Sequence, residues 1–208
     1  MRSLIIFLCC YIPDLPVSAQ KYDKNFNDGY IIRFNDTIRC KIYTGSKNSN
    51  IAHEVKLRYS DGREITYNPG SVIKAFGYKT DSVDKHYYKI TVPEYKINRQ
   101  KNNKAYAEIL ANGDLKFLKY SYTEYVLRSN GATPSRNTSY YLYKQATGSC
   151  LNIGNNPLIG GTHFTKDELS AFMSDYPELL SEIGENEKMN IGDLIKYVNR
   201  YNEWFKKR

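Results

Sequence analysis

The sequence has no apolar run long enough to cross a membrane as a helix. A span takes about 20 residues, and the longest such stretch, residues 4–12 (LIIFLCCYI), is far shorter. Histidine is scarce: His53, His86 and His163 stand far apart and in no metal-ligand spacing. There is no HExxH, CxxC or paired-histidine motif, no GxSxG elbow and no phosphate-binding glycine loop. None of the motif-marked metal, serine-nucleophile or nucleotide chemistries is therefore indicated, and no metal or cofactor is expected. Tryptophan occurs once and cysteine four times.

The short apolar run has a different meaning. Arg2 precedes it, Pro13 and Pro16 break it, and Val17-Ser18-Ala19 then places small residues before Gln20. That order is the pattern of a removable export signal covering residues 1–19. Cys9 and Cys10 lie inside the apolar region, behind Phe7 and Leu8 rather than small residues, so they read as apolar filler, with a lipid-attachment site as the alternative. The expected address is the periplasm, the outer-membrane surface or the medium.

Removal of that segment takes away Arg2 and Asp14 together, so the net charge stays at +8. A moderate positive balance favours anionic partners without choosing among them. Two cysteines remain, Cys40 and Cys150, and an oxidising compartment makes them a disulfide candidate. Their bond would close a long loop, worth on the order of 4–5 kcal/mol in the chain-entropy model. Two unrelated buried thiols are the alternative.

Twenty tyrosines are the strongest compositional feature. Tyrosine suits a strand because its ring packs on the pleat while its hydroxyl reaches water. Residues 29–153 accordingly read as hairpins. Ile38, Cys40 and Ile42 alternate with Arg39 and Lys41, which points Cys40 inward. Val55, Leu57 and Tyr59 alternate with Lys56 and Arg58 before Asp61-Gly62, a pair that suits a two-residue type I′ turn. Residues 105–111 and 115–122 flank Asn112-Gly113, and residues 140–144 and 150–153 flank Thr147-Gly148. Val72, Ile73 and Phe76 suggest a short helical or irregular packing segment. Residues 96–104, 128–139 and 154–161 read as loops. The fold class expected is α+β: a mainly antiparallel β body over residues 20–155, as a sandwich or half-barrel of hairpins, followed by a helical segment over residues 164–208 that packs on it.

In that helical segment Thr165 and Glu168 form a capping box. Leu169, Phe172 and Met173 are the expected buried face, and Pro177 interrupts the helix. Ile191, Leu194, Ile195, Val198 and Phe205 recur at helical spacing in the last helix, with Tyr197, Tyr201 and Trp204 on an adjoining stripe. The stripe reads as core packing rather than a docking surface.

Chemistry-bearing residues are few. Lys96, Arg99, Lys101 and Lys104 place four positive charges in one loop between Tyr95 and Tyr106, the candidate anion-binding segment, although a solvated charged loop explains them as well. Nucleic acid is not the expected partner. His163, beside Gly160-Gly161, is the best-placed candidate for a loop-borne catalytic histidine, but with no placed nucleophile or acid partner it reads as an exposed loop histidine. Glu54, Asp61, Glu108 and Asp114 flank turns, where acidic residues are ordinary, and a glycosidase would need two such groups about 5–10 Å apart.

The opening hairpin, Gly29-Tyr30-Ile31-Ile32 through Asn35-Asp36-Thr37-Ile38-Arg39-Cys40-Lys41-Ile42, resembles the start of uncharacterised exported proteins of Bacteroidetes. Those combine a signal ending near Ala-Gln, a GYI…GDTI.GKI hairpin, further Asp-Gly or Asn-Gly turns and a helical tail with a Tyr-Asn pair. Ala19-Gln20, Asp61-Gly62, Asn112-Gly113 and Tyr201-Asn202 stand in those places, with Asn35 in place of the turn glycine and Cys40 in place of a small residue. The resemblance implies export in a Gram-negative cell and no particular activity. The sequence as a whole reads as a non-enzymatic exported module that binds or supports an envelope glycan, lipid or protein. The alternative is an exported hydrolase whose groups meet only in three dimensions.

Overall fold

The computed structural model describes residues 25–45, 51–92, 104–128, 131–154, 166–183 and 189–208. The export signal, Lys96, Arg99, Lys101, His163 and Thr165 lie outside the described residues.

Ten antiparallel strands form one sheet. They are β1 (Phe26–Arg33), β2 (Asp36–Tyr43), β3 (Val55–Arg58), β4 (Glu64–Tyr67), β5 (Ile73–Lys79), β6 (Asp84–Thr91), β7 (Lys104–Ala111), β8 (Leu115–Arg128), β9 (Gly131–Lys144) and β10 (Ser149–Gly154). Their order is β10-β9-β8-β7-β6-β5-β1-β2-β3-β4. Neighbours follow the chain except where β5 returns to the free edge of β1, after β2, β3 and β4 have been laid on its other side. The expected antiparallel body is present, as a single sheet.

Several local expectations change. The segment at Ile73 is strand β5, in the middle of the sheet, not a helical turn. Four consecutive residues, Ala75 to Tyr78, are buried, so neither face offers the polar alternation that marks a half-exposed strand. Where described, the expected loop over residues 128–139 is strand: Arg128 ends β8 and residues 131–139 open β9, two fourteen-residue strands in which Arg128 pairs with Gly131. β10 pairs only with residues 140–144 of β9, which leaves residues 131–139 as a sheet edge, where Pro134 is tolerated. The Asp61-Gly62 turn is a three-residue loop. Gly62 alone has positive φ, 84°, Gly62 N donates to Tyr59 O (3.0 Å), and Tyr59 N donates to Arg63 O (2.9 Å). A left-handed glycine ending a tight turn matches strand twist as well as a type I′ pair does. The first hairpin turns at Phe34-Asn35, with Arg33 paired to Asp36, and Phe34 takes φ 55°.

The sheet curls at its β1–β4 end. β3 and β7 are five strands apart in order, about 24 Å if the sheet were flat. Yet Val55 and Leu57 share one apolar cluster with Phe76, Tyr87 and Tyr106, and Tyr106 N donates to Ala52 O at 2.9 Å. The early strands therefore roll over β5, β6 and β7 as a half-barrel.

Helices cover the other end. They are α1 (Lys166–Met173), α2 (Pro177–Ser181) and α3 (Ile191–Lys207). Leu169, Phe172, Met173, Leu179, Ile183, Leu194 and Val198 pack with Leu115, Phe117, Leu142 and Ile153 of the sheet. α3 opens with a capping box between Asn190 and Asp193, and Lys206 and Lys207 lie at the negative end of its dipole. Tyr201 is fully buried and Trp204 stacks on Tyr176 at 4.5 Å, so the aromatic stripe packs inward. Asn202 explains the Tyr-Asn pair physically. Its Oδ1 accepts from Leu115 N (2.9 Å) and its Nδ2 donates to Leu115 O (2.8 Å), so a side-chain amide completes the backbone of β8. Gly113 lies directly under that amide, where a Cβ would overlap it.

A candidate ligand-binding groove

Alternation along the strands divides the sheet into two faces. One carries Ile31, Phe76, Tyr87 and Tyr106 at the half-barrel end and Phe117 and Leu142 beneath the helices. Between these apolar patches the same face turns polar. Across the ladders Glu108 faces Lys119, Ser121 faces Thr138, and Thr123 faces Arg136. A groove of about 1020 Å³ opens there.

The groove exists because two strands part company. β7 pairs with β8 only between Glu108 and Ala111, whereas β8 continues with β9 as far as Arg128. Where β8 would have accompanied Tyr106, the backbone of Ala52 takes its place. The turn around Ile51–His53 thus wedges into the opening, and Ile51, Ala52 and Thr44 form one wall. The Tyr120 hydroxyl meets His53 Nε2 at 3.2 Å and fastens the wedge.

The floor is aromatic. Tyr87 stacks on Phe76 (4.7 Å between centroids) and Tyr78 (6.1 Å), while Tyr106 meets Phe76 edge-on at 5.0 Å. Burial raises the Tyr87 and Tyr106 phenols above the ordinary tyrosine range, so both keep their protons at neutral pH. Tyr106 donates to Asn68 O (3.3 Å). Over this floor lie charges and hydroxyls. Lys85 Nζ pairs with Glu108 Oε1 at 3.2 Å. Lys119, half-buried, has no hydrogen-bond or ion-pair partner among the described residues. Ser121 and Thr138 hydroxyls are 3.4 Å apart, and the exposed Arg136 with the half-buried Asn137 completes the far wall. Such a lining can hold a polar ligand by charge and hydrogen bonds over an apolar base.

Of the carboxylates flagged by sequence, Glu108 alone lines the groove. Glu54 is exposed beyond the wedge, Asp61 binds Arg63 in its own turn, and Asp114 lies at the β7–β8 turn. Among the basic candidates, Lys104 is described. It is exposed at the start of β7, opposite Thr91, and does not line the groove. Cys40 and Cys150 are free thiols. Cys40 lies with Ile31 and Ile42 in β2, whereas Cys150 in β10 packs with Tyr141 and Tyr143 on the opposite face, seven strands away in sheet order. The considered disulfide is therefore not formed, and burial pushes both thiols up to about 11.

On the face away from the groove His86 takes a hydrogen bond between its Nδ1 and the Tyr30 hydroxyl (2.8 Å), and its Nε2 lies 3.2 Å from Asp84 Oδ1. Gly77 gives it room. No group of three histidine, cysteine or acidic side chains able to hold a metal occurs among the described residues, and none of their helices is long and apolar enough to cross a membrane.

Sequence reasoning missed Lys119, Ser121, Thr123, Arg136 and Thr138. A signal was present: Phe117 faces the core, and Lys119, Ser121 and Thr123 continue the same parity, so a buried face turns polar in mid-strand. No protein-family model, curated protein or solved structure matches the chain.

Proposed function

We propose that the protein is an exported, non-enzymatic module that binds a cell-envelope component in the groove over Tyr78, Tyr87 and Tyr106. The carrying observation is the groove itself: a wide opening whose lining offers lysine, arginine, amide and hydroxyl groups over an aromatic floor. Export is supported by the signal pattern of residues 1–19. Against hydrolysis, the groove presents one carboxyl among its described lining residues, where a glycosidase uses two.

The test is thermal-shift screening of the chain without residues 1–19 against glycans, lipid headgroups and polyanions. It is run beside Ser121→Trp, which fills the groove from an exposed position. A bound ligand at about 100 times its Kd stabilises by about 2.7 kcal/mol. A ligand-specific rise in Tm, lost in the variant, is expected. A rise that survives Ser121→Trp, or turnover of the ligand, would overturn the proposal.

A further inference from the structure

We infer that the groove takes an acidic oligosaccharide, a sugar chain bearing carboxylates, with one carboxylate seated on Lys119. This rests on the groove being a binding site, and it names the chemistry. Of the four charged residues among the described lining, Lys85, Lys119 and Arg136 are cations and Glu108 is the anion. Glu108 already holds Lys85 at 3.2 Å. Lys119, facing Glu108 across the ladder, keeps its ammonium without a partner among the described residues, although it is half-buried. A half-buried cation is poorly screened and gains most from an incoming anion.

The rest of the lining suits sugar hydroxyls. Ser121, Thr123, Thr138 and Asn137 can each donate and accept hydrogen bonds. Glu108 accepts from hydroxyls but repels densely spaced phosphates, which sets the groove against nucleic acid. At about 1020 Å³ it lies at the upper end of ordinary small-molecule sites, with room for a chain of rings.

Calorimetric titration compares an oligogalacturonide with its methyl ester, which has the same rings and hydroxyls without the charge. Wild type, Lys119→Gln and Ser121→Trp are each measured, with folding checked by melting. Because Lys119 has no partner to lose among the described residues, Lys119→Gln is expected to melt like wild type. The acid should bind wild type about tenfold or more tightly than the ester, weaken with salt, and fall to the ester's level in Lys119→Gln. Equal binding of acid and ester, both lost in Ser121→Trp, would overturn the acidic-ligand inference and leave the groove as a binding site. So would binding confined to a neutral glycan or a lipid headgroup, or preferential binding of single-stranded DNA, if sensitive to Ser121→Trp. If no ligand's binding responds to Ser121→Trp, both readings fall. The acid-to-ester comparison on wild type stands even if a variant does not fold.

Discussion

Two residues show how single side chains set local free energy in this molecule. Phe34, in the first hairpin turn, holds φ 55° with its ring 64% exposed, a conformation that non-glycine residues adopt at a cost of about 1 kcal/mol or more. Its ring lies under the Arg33 guanidinium, which offsets part of that cost. His53 is the more informative case, because burial lowers its proton affinity below that of a free imidazole. A base with a depressed pKa contributes stability that is complete above its unfolded value, about 6.5, and is lost as pH falls toward the folded value. We expect His53→Gln to cost about 1 kcal/mol at pH 7.5, with the gap to wild type closing as pH falls from 6.5 to 5. Thermal melts at half-unit pH steps check this. A gap independent of pH would show that protonation of His53 does not loosen the wedge.

At the scale of elements, a buried polar contact adds to the apolar cluster that holds the helices on the sheet. Asn202 supplies both hydrogen bonds to Leu115, and its removal leaves a buried N–H and C=O unpaired. Asn202→Ala should therefore cost about 2–3 kcal/mol. Gly113→Ala should be costly for the matching reason, since its new methyl would occupy the amide's place. The double variant should cost less than the two single costs added, by about 0.5 kcal/mol or more in denaturant titrations. Strict additivity would mean that the two residues do not share one contact. The elements themselves were legible where one face is apolar and the other wet, as in β2, β3 and α3. They were hidden where that contrast disappears. β5 is buried on both sides, and the outer part of the β8–β9 hairpin exposes Ala132, Thr133 and Pro134 alike, so neither carries the period-two signal. Asn202 was visible only as half of a recurring Tyr-Asn pair, because nothing local in sequence shows that it completes β8.

For the whole molecule, the curl of the sheet and its helical cover decide where function can sit. The half-barrel end and the helix-covered end each bury their part of one face. The stretch between them, where β8 leaves β7, keeps Glu108, Lys119 and Ser121 in the groove. Sequence showed the antiparallel body and the helical tail. It did not show the groove, which depends on the loop at Ala52 reaching β7, a contact between residues far apart in the chain. The most direct test of the central claim is hydrogen–deuterium exchange of the chain without residues 1–19, with and without saturating oligogalacturonide. The account predicts slowed exchange in residues 104–111, 119–123 and 134–138, and around Ala52. Protection confined to the basic stretch of residues 96–101, with those strands unchanged, would contradict it and move the binding site to that stretch.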